Sequence, residues 1–237
     1  MPEYLQVILL TTLAGGAMPV GGAIARIERL RPHWLEQEFR HSVIAFGGGI
    51  LLSAVALVLV PEGIKGVSIP VSTSAFFLGG AAFCLLDWAL SKTQTSAAQL
   101  AAMLADFVPE ALALGSTFAQ GSGVGFLLAF LIAAQNLPEG FNAYRELVGS
   151  GRSKPRTVLS ALTILVLLGP IAGLTGLWWL AGYPTAVSCV MLFAAGGILY
   201  LTFQDIAPQA RLEKFWGPPL GAVAGFVFGV IGHQLTI

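Results

Sequence analysis

Two stretches decide the fold of this chain: DFVPEALALGS (106–116) and QNLPEGFNAYR (135–145). Each opens on a polar residue, with Pro three and Glu four places later, and each sits inside a long apolar run. The runs have the length of membrane spans. The acids and prolines are what a plain span would not carry. Residues i and i+4 share a helix face, so Asp106 and Glu110 stack on one side of their helix. Gln135, Glu139, Asn142 and Glu146 form a longer stripe on the other helix.

Composition supports the reading as spans. The chain has 237 residues, of which 56% are hydrophobic and 10% charged, where a soluble domain carries about 25% charged residues. So few charges cannot cover a water-facing surface, and lipid is the solvent that fits. The formal net charge is +0, which speaks against a nucleic-acid partner. Cys84 and Cys189 lie apart in apolar stretches and read as small packing residues. The opening MPEYLQVILL carries Glu3 and no basic n-region, so it reads as the first span rather than a leader.

A span needs about 20 apolar residues. Eight segments qualify: 4–25, 41–60, 70–90, 97–120, 124–148, 157–181, 184–206 and 216–236. The short connections leave one membrane domain over 1–237. Arg26, Arg29, Arg31, Arg40, Lys92, Arg145, Arg152, Lys154, Arg156, Arg211 and Lys214 all follow odd-numbered spans, and Lys65 alone lies on the other side. The positive-inside rule then puts the odd loops in the cytoplasm and both termini outside, in a plasma or inner membrane. FGGGILLSAVALVLVPE from Phe46 echoes FAAGGILYLTFQDIAPQ from Phe193, with Phe and Pro fifteen residues apart in both. The two spans run in opposite directions. That predicts an all-α membrane fold with an inverted repeat of helices 1–3 and 6–8 around a central helix 4/5 pair.

The quoted stretches belong to that central pair. At 1.5 Å per residue Asp106 lies about 15 Å, and Gln135 about 17 Å, into its span, so the two polar faces can meet near mid-bilayer. A lipid-facing acid at such a depth costs about 2.5–3.5 kcal/mol, and Asp106, Glu110 and Glu139 together would cost on the order of 8–10 kcal/mol. No Lys or Arg lies at their depth, which leaves protons, water or a bound cation to compensate them. Pro109 and Pro138 free the carbonyls of Ala105 and Ala134, and broken backbone at this depth is expected to line a cavity. Carboxylate, amide and carbonyl oxygens suit a hard or borderline divalent cation. Plainer readings stand beside this one. Protonated acids can bond helices together, the prolines can be simple kinks, and Asn142 can bond a neighbour. Glu146, Gln204 and Asp87 can be solvated end residues. The three histidines lie outside the span centres, which excludes a His-rich site there.

With these residues in place, the chain resembles the ZIP (Zrt/Irt-like) family of divalent metal transporters. QNLPEG (135–140) is close to that family's span-five pattern, DFVPE (106–110) stands at its span-four pattern, and AGGILYLTFQDIAPQ on span seven is similar too. The resemblance implies a central metal site of Asp106, Glu110, Gln135 and Glu139, with Asn136, Asn142, Glu146 and Asp205 along the pathway. Members with a second, adjacent metal site use ligands at positions that here hold Phe107 and Gly169, so a single site is implied. Asp106 replaces the usual His, which shifts the set toward oxygen and toward manganese or iron beside zinc, with cadmium also in range. SKTQTS (91–96) lacks the histidines that this loop often carries in the family. The expectation is a transporter moving a divalent metal toward the cytoplasm, not an enzyme, with no cofactor and room for a homodimer that nothing in the sequence specifies. Two rivals remain: a metal-binding membrane protein that does not transport, and a proton-linked carrier of another small solute.

Overall fold

Each apolar run folds as a helix, because in lipid a backbone must satisfy its own N–H and C=O groups. The computed structural model describes residues 1–27, 33–92, 96–119, 124–151, 153–180, 182–211 and 216–235. Among them, eight helical rods follow in order and no strand is formed. They are α1 (Glu3–Ile27), α2 (His33–Ala54, prolonged through Val55–Leu59 and Val60–Gly63), α3 (Ile69–Ser91) and α4 (Ser96–Ala119). Next come α5 (Val124–Gly149) and α6 (Pro155–Leu165, then Leu168–Thr175 and Gly176–Leu180). The last are α7 (Pro184–Leu201, prolonged through Thr202–Ile206 and Ala207–Ala210) and α8 (Gly217–Gln234). Six are long and apolar enough to cross a membrane: α1, Gln37–Gly63 of α2, α3, α5, α6 and α7. The other two expected segments are the helices α4 and α8. Arg29, Arg31, Arg152 and Lys214 of the charge count lie outside the described residues.

Three details depart from expectation. First, α2 starts at His33 rather than near 41, and His41 Nδ1 lies 2.6 Å from the Gln37 carbonyl. Second, α4 and α5 run through Pro109 and Pro138 without a break. The broken backbone expected there is found elsewhere. Third, π-helical turns occupy Val55–Leu59 and Thr202–Ile206, just before Pro61 and Pro208. A proline has no N–H to give. The ladder slips one residue ahead of it, so that Val60 N–H reaches the Val55 carbonyl and Ala207 N–H the Thr202 carbonyl. Another interruption precedes Pro170, where the N–H groups of Leu167 and Gly169 bond Ile164 and Val166.

Small residues let helix backbones touch where lipid supplies no hydrophobic drive. At four crossings a glycine stands so close to a facing carbonyl that no Cβ would fit. Gly21 meets Leu137 and Gly140 meets Met18 between α1 and α5; Gly176 meets Leu112 and Gly115 meets Gly173 between α6 and α4. Gly49 meets Ala222 and Gly225 meets Phe46 between α2 and α8; Gly196 meets Phe76 and Gly79 meets Phe193 between α7 and α3. Helices α4 and α5 hold the core, with Phe107, Leu114, Leu128, Leu131 and Ile132 fully buried. Outside, large apolar side chains stand free: Phe77 is 76% exposed and Trp179 76%. So large an apolar exterior fits hydrocarbon, not water. Trp88 stacks under Lys92 Nζ at 3.2 Å, an amphipathic anchor at the end of α3. Of the two cysteines, Cys189 is half-buried, whereas Cys84 is exposed and packs no core.

Candidate metal centre

The 4-residue spacing on α4 and the stripe on α5 turn their polar side chains toward each other. Glu110 and Gln135 are fully buried, and Asp106 nearly so. Gln135 Nε2 donates to Glu110 Oε1 and Oε2, 2.7 Å from each. That orients the Gln135 amide and leaves Oε1 without a partner. Asp106 Oδ1 and Asn142 Oδ1 are also buried with no hydrogen-bond partner. Three acceptor oxygens on two facing helices are therefore unsatisfied, in a medium where each costs free energy. Asp106, Glu110 and Glu139 have no ion-pair partner among the described residues.

Glu139 is half-buried, because it faces a cavity. One cavity of about 120 Å³ is lined by Asp106, Glu139, Asp205 and Met103. A second, of about 150 Å³, is lined by Glu139, Asn142, Glu146, Asp205 and Gln209. Leu51, Met103, Glu139, Asp205 and Ile206 belong to both. Together they make a path whose walls are largely apolar and whose acids and amides run from Asp106 to the end of α5, where Glu146 is exposed. Glu110 and Gln135 line neither cavity; they sit paired behind Asp106. Among the described residues, no three His, Cys, Asp or Glu side chains converge closely enough to hold a metal. The four expected ligands thus gather as two neighbouring pairs rather than one closed shell.

Asn136 does not join the path. Its Nδ2 donates to the Ala14 carbonyl of α1 at 2.9 Å, which pins α5 to α1. Asn136→Ala is expected to lower stability by about 0.6–1.7 kcal/mol, the range of such bonds between membrane helices, and to leave metal binding unchanged. A denaturation series beside a binding isotherm checks both. Asp87 also has a structural partner, accepting a bond from Tyr200 Oη at 3.1 Å. Two path residues went unnoticed in the sequence. Met103 lies three places before Asp106 on the same face, and Gln209 lies four after Asp205. Both spacings were available as signals.

Phe107 occupies the position implied for a second-site ligand. It is 1% exposed, and its ring is wedged between α1 and α6. A Cβ on Gly15 would lie 2.8 Å from Phe107 Cζ, and one on Gly169 2.7 Å from the same atom. The ring therefore fills the space where a side chain at 169 would extend.

Fold and site together define a multi-pass α-helical membrane protein with unpaired carboxylates in its core, two of them, Asp106 and Glu139, facing a cavity. Its similarities run to metal transporters. The chain is 29% identical over 140 residues to the zinc transporter SLC39A7 of Canis lupus familiaris and, to the same extent, to that of Homo sapiens. It is 28% identical over 139 residues to the one of Rattus norvegicus. The first two matches cover 56% of this chain and 29% of each relative, so the chain spans less than a third of their length. No protein-family profile matches the chain.

Proposed function

We propose that this chain is a ZIP-type transporter that moves a divalent transition-metal cation toward the cytoplasm through one central site, as a single membrane unit over 1–237. The observation that carries the proposal is the set of three unpartnered buried oxygens, Asp106 Oδ1, Gln135 Oε1 and Asn142 Oδ1, beside carboxylates with no cationic partner. A cation bound beside Asp106 satisfies the Asp106 and Gln135 oxygens and compensates the carboxylates, and the Asn142 oxygen, two turns further along α5, meets it on its way out. The substrate metal binds Asp106 and Glu139 at the head of the cavity and takes the Gln135 carbonyl oxygen. Its charge draws the Glu110 carboxylate forward from the Gln135 amide to complete the ligand set. The ion leaves past Asn142, Asp205 and Glu146. All-oxygen donors accept zinc, iron or manganese, and zinc is the metal in the names of the similar proteins.

Eight crossings in a 3+2+3 inverted repeat are part of the proposal, and matched features support them. The π turn begins nine residues after Phe46 and nine after Phe193, and each precedes its proline by the same interval. The glycine crossings recur as pairs. The α1–α5 contacts Gly21–Leu137 and Met18–Gly140 correspond to the α6–α4 contacts Gly176–Leu112 and Gly173–Gly115. The α2–α8 contacts correspond to those of α7–α3 in the same way. Arg26 and Arg145 lie near the ends of α1 and α5, and Arg211 directly follows α7, which puts the exit of the path on the cytoplasmic side under the positive-inside rule.

Calorimetry tests the site. Metal ligands must be deprotonated, so metal competes with protons. Apparent affinity should fall as pH falls, and binding should release protons, seen as an enthalpy that differs between buffers of unlike ionisation enthalpy. Asp106→Asn should lower the proton count. A cation merely attracted to the loops would show strong salt dependence and no proton release, and that result would reject the buried site. Metal uptake into liposomes, run on the same protein, separates transport from binding alone.

A further inference from the structure

A second kind of cavity lies beside the polar path, at the α2, α7 and α8 interface. It holds about 360 Å³, within the range of about 300–1,000 Å³ typical of ligand sites. Its walls are apolar: Ala45, Gly49, Leu52, Ala207, Pro218 and Ala222 are among them. Arg211 is its one charged lining residue among the described ones. Arg211 is exposed and has no ion-pair partner among the described residues. The start of α8 supplies no free positive end, because Glu38 already lies against it: a Cβ on Gly217 would be 2.7 Å from Glu38 Oε1. Among the described residues the guanidinium is thus the one cationic feature of an otherwise oily cavity.

In a membrane protein the surrounding solvent is acyl chain, and a guanidinium at the end of an apolar cavity matches a phosphodiester by charge and fork geometry. We propose that this cavity binds one anionic phospholipid, with an acyl chain between α2, α7 and α8 and the phosphate on Arg211. Gly48 and Ile206 line both this cavity and the polar path. A Cβ on Gly48 would lie 2.7 Å from Ile206 Cγ2, so the wall between the two is about one side chain thick. The lipid chain packs against the outer face of the wall that closes the metal path. The proposal rests on the membrane fold and stands whether or not the central site binds metal.

The test uses the full chain, stripped of lipid in detergent and titrated with phosphatidylglycerol or phosphatidylcholine of identical chains. Bound lipid is counted by native mass spectrometry. One phosphatidylglycerol per chain should be retained about fivefold better than phosphatidylcholine, as one basic residue at a membrane surface provides. Arg211→Gln, at an exposed position, should remove that preference, and Arg26→Gln, at another exposed cation, should keep it. Ala207→Phe, which fills the cavity from an exposed position, should lower retention of both lipids. Equal retention of the two lipids by the parent overturns the proposal. So does a preference that survives Arg211→Gln, one lost equally in Arg26→Gln, or retention unchanged by Ala207→Phe.

Discussion

Glu139→Ala and Glu110→Ala are each expected to reduce metal uptake to background while the protein stays folded. Removing even an outer-shell partner of a metal costs about 10–100-fold in affinity, and a direct charged ligand should cost at least as much. The two variants should differ in stability. Glu139 is half-buried at the cavity, so its truncation opens space already bordered by polar groups. Glu110 is fully buried and accepts both bonds from Gln135, so its truncation leaves a buried amide unpaired, at about 1–3 kcal/mol. Glu110→Gln keeps the volume and removes the charge. It should stay closer to parent stability and still lose uptake. Liposome uptake beside metal binding and thermal unfolding checks all three. Parent-level uptake by both alanine variants would reject the central site.

How far the sequence could be read depends on the kind of contact. The apolar runs and the i, i+4 acids on 106 and 110 are local patterns, and local patterns carry through to helices and shared faces. The echo from Phe46 and Phe193 marks two segments that each carry a π turn at the same offset, which the sequence alone did not announce. What escaped is set by partners far along the chain. Nothing near Asn136 says that its amide bonds Ala14, 122 residues away in sequence. Nothing near Gln135 says which way its amide turns; the Glu110 carboxylate decides that. Pro109 and Pro138 looked like breaks, but each removes a single N–H from the ladder and both helices continue past it. The start of α2 was misplaced because the mixed, charged stretch 33–40 continues the helix beyond the apolar run, where mean hydropathy gives no signal. The role of Phe107 is half readable: the sequence puts a phenylalanine where the resemblance implies a ligand, while the glycines that accept its ring show only in packing.

That packing sets the second large effect. Gly169→Glu alone should destabilise the protein severely. Its Cβ would meet Phe107 Cζ at 2.7 Å and the Thr11 carbonyl at 2.9 Å. Overpacking costs about 1–3 kcal/mol, and an uncompensated acid in a span about 2.5–3.5 kcal/mol more. Phe107→Asn alone should also destabilise, by an amount near the about 3–5 kcal/mol of a buried Phe truncation. The double variant should not show the sum. Removing the ring clears the space that the new carboxylate needs, and the Asn amide can bond it, so the two changes should couple favourably, as contacting residues do. Only the Thr11 carbonyl remains in the way, which calls for a small shift of α6 against α1. Added divalent metal should then stabilise the double variant more than the parent, because a cation that binds only the folded state raises stability by mass action. Bound metal per chain should rise as well. Strict additivity of the two substitutions would mean that the ring is not the obstacle. A folded double variant with parent metal stoichiometry would mean that positions 107 and 169 do not stand at a lost second site, and that Phe107 is there to lock α4 between α1 and α6.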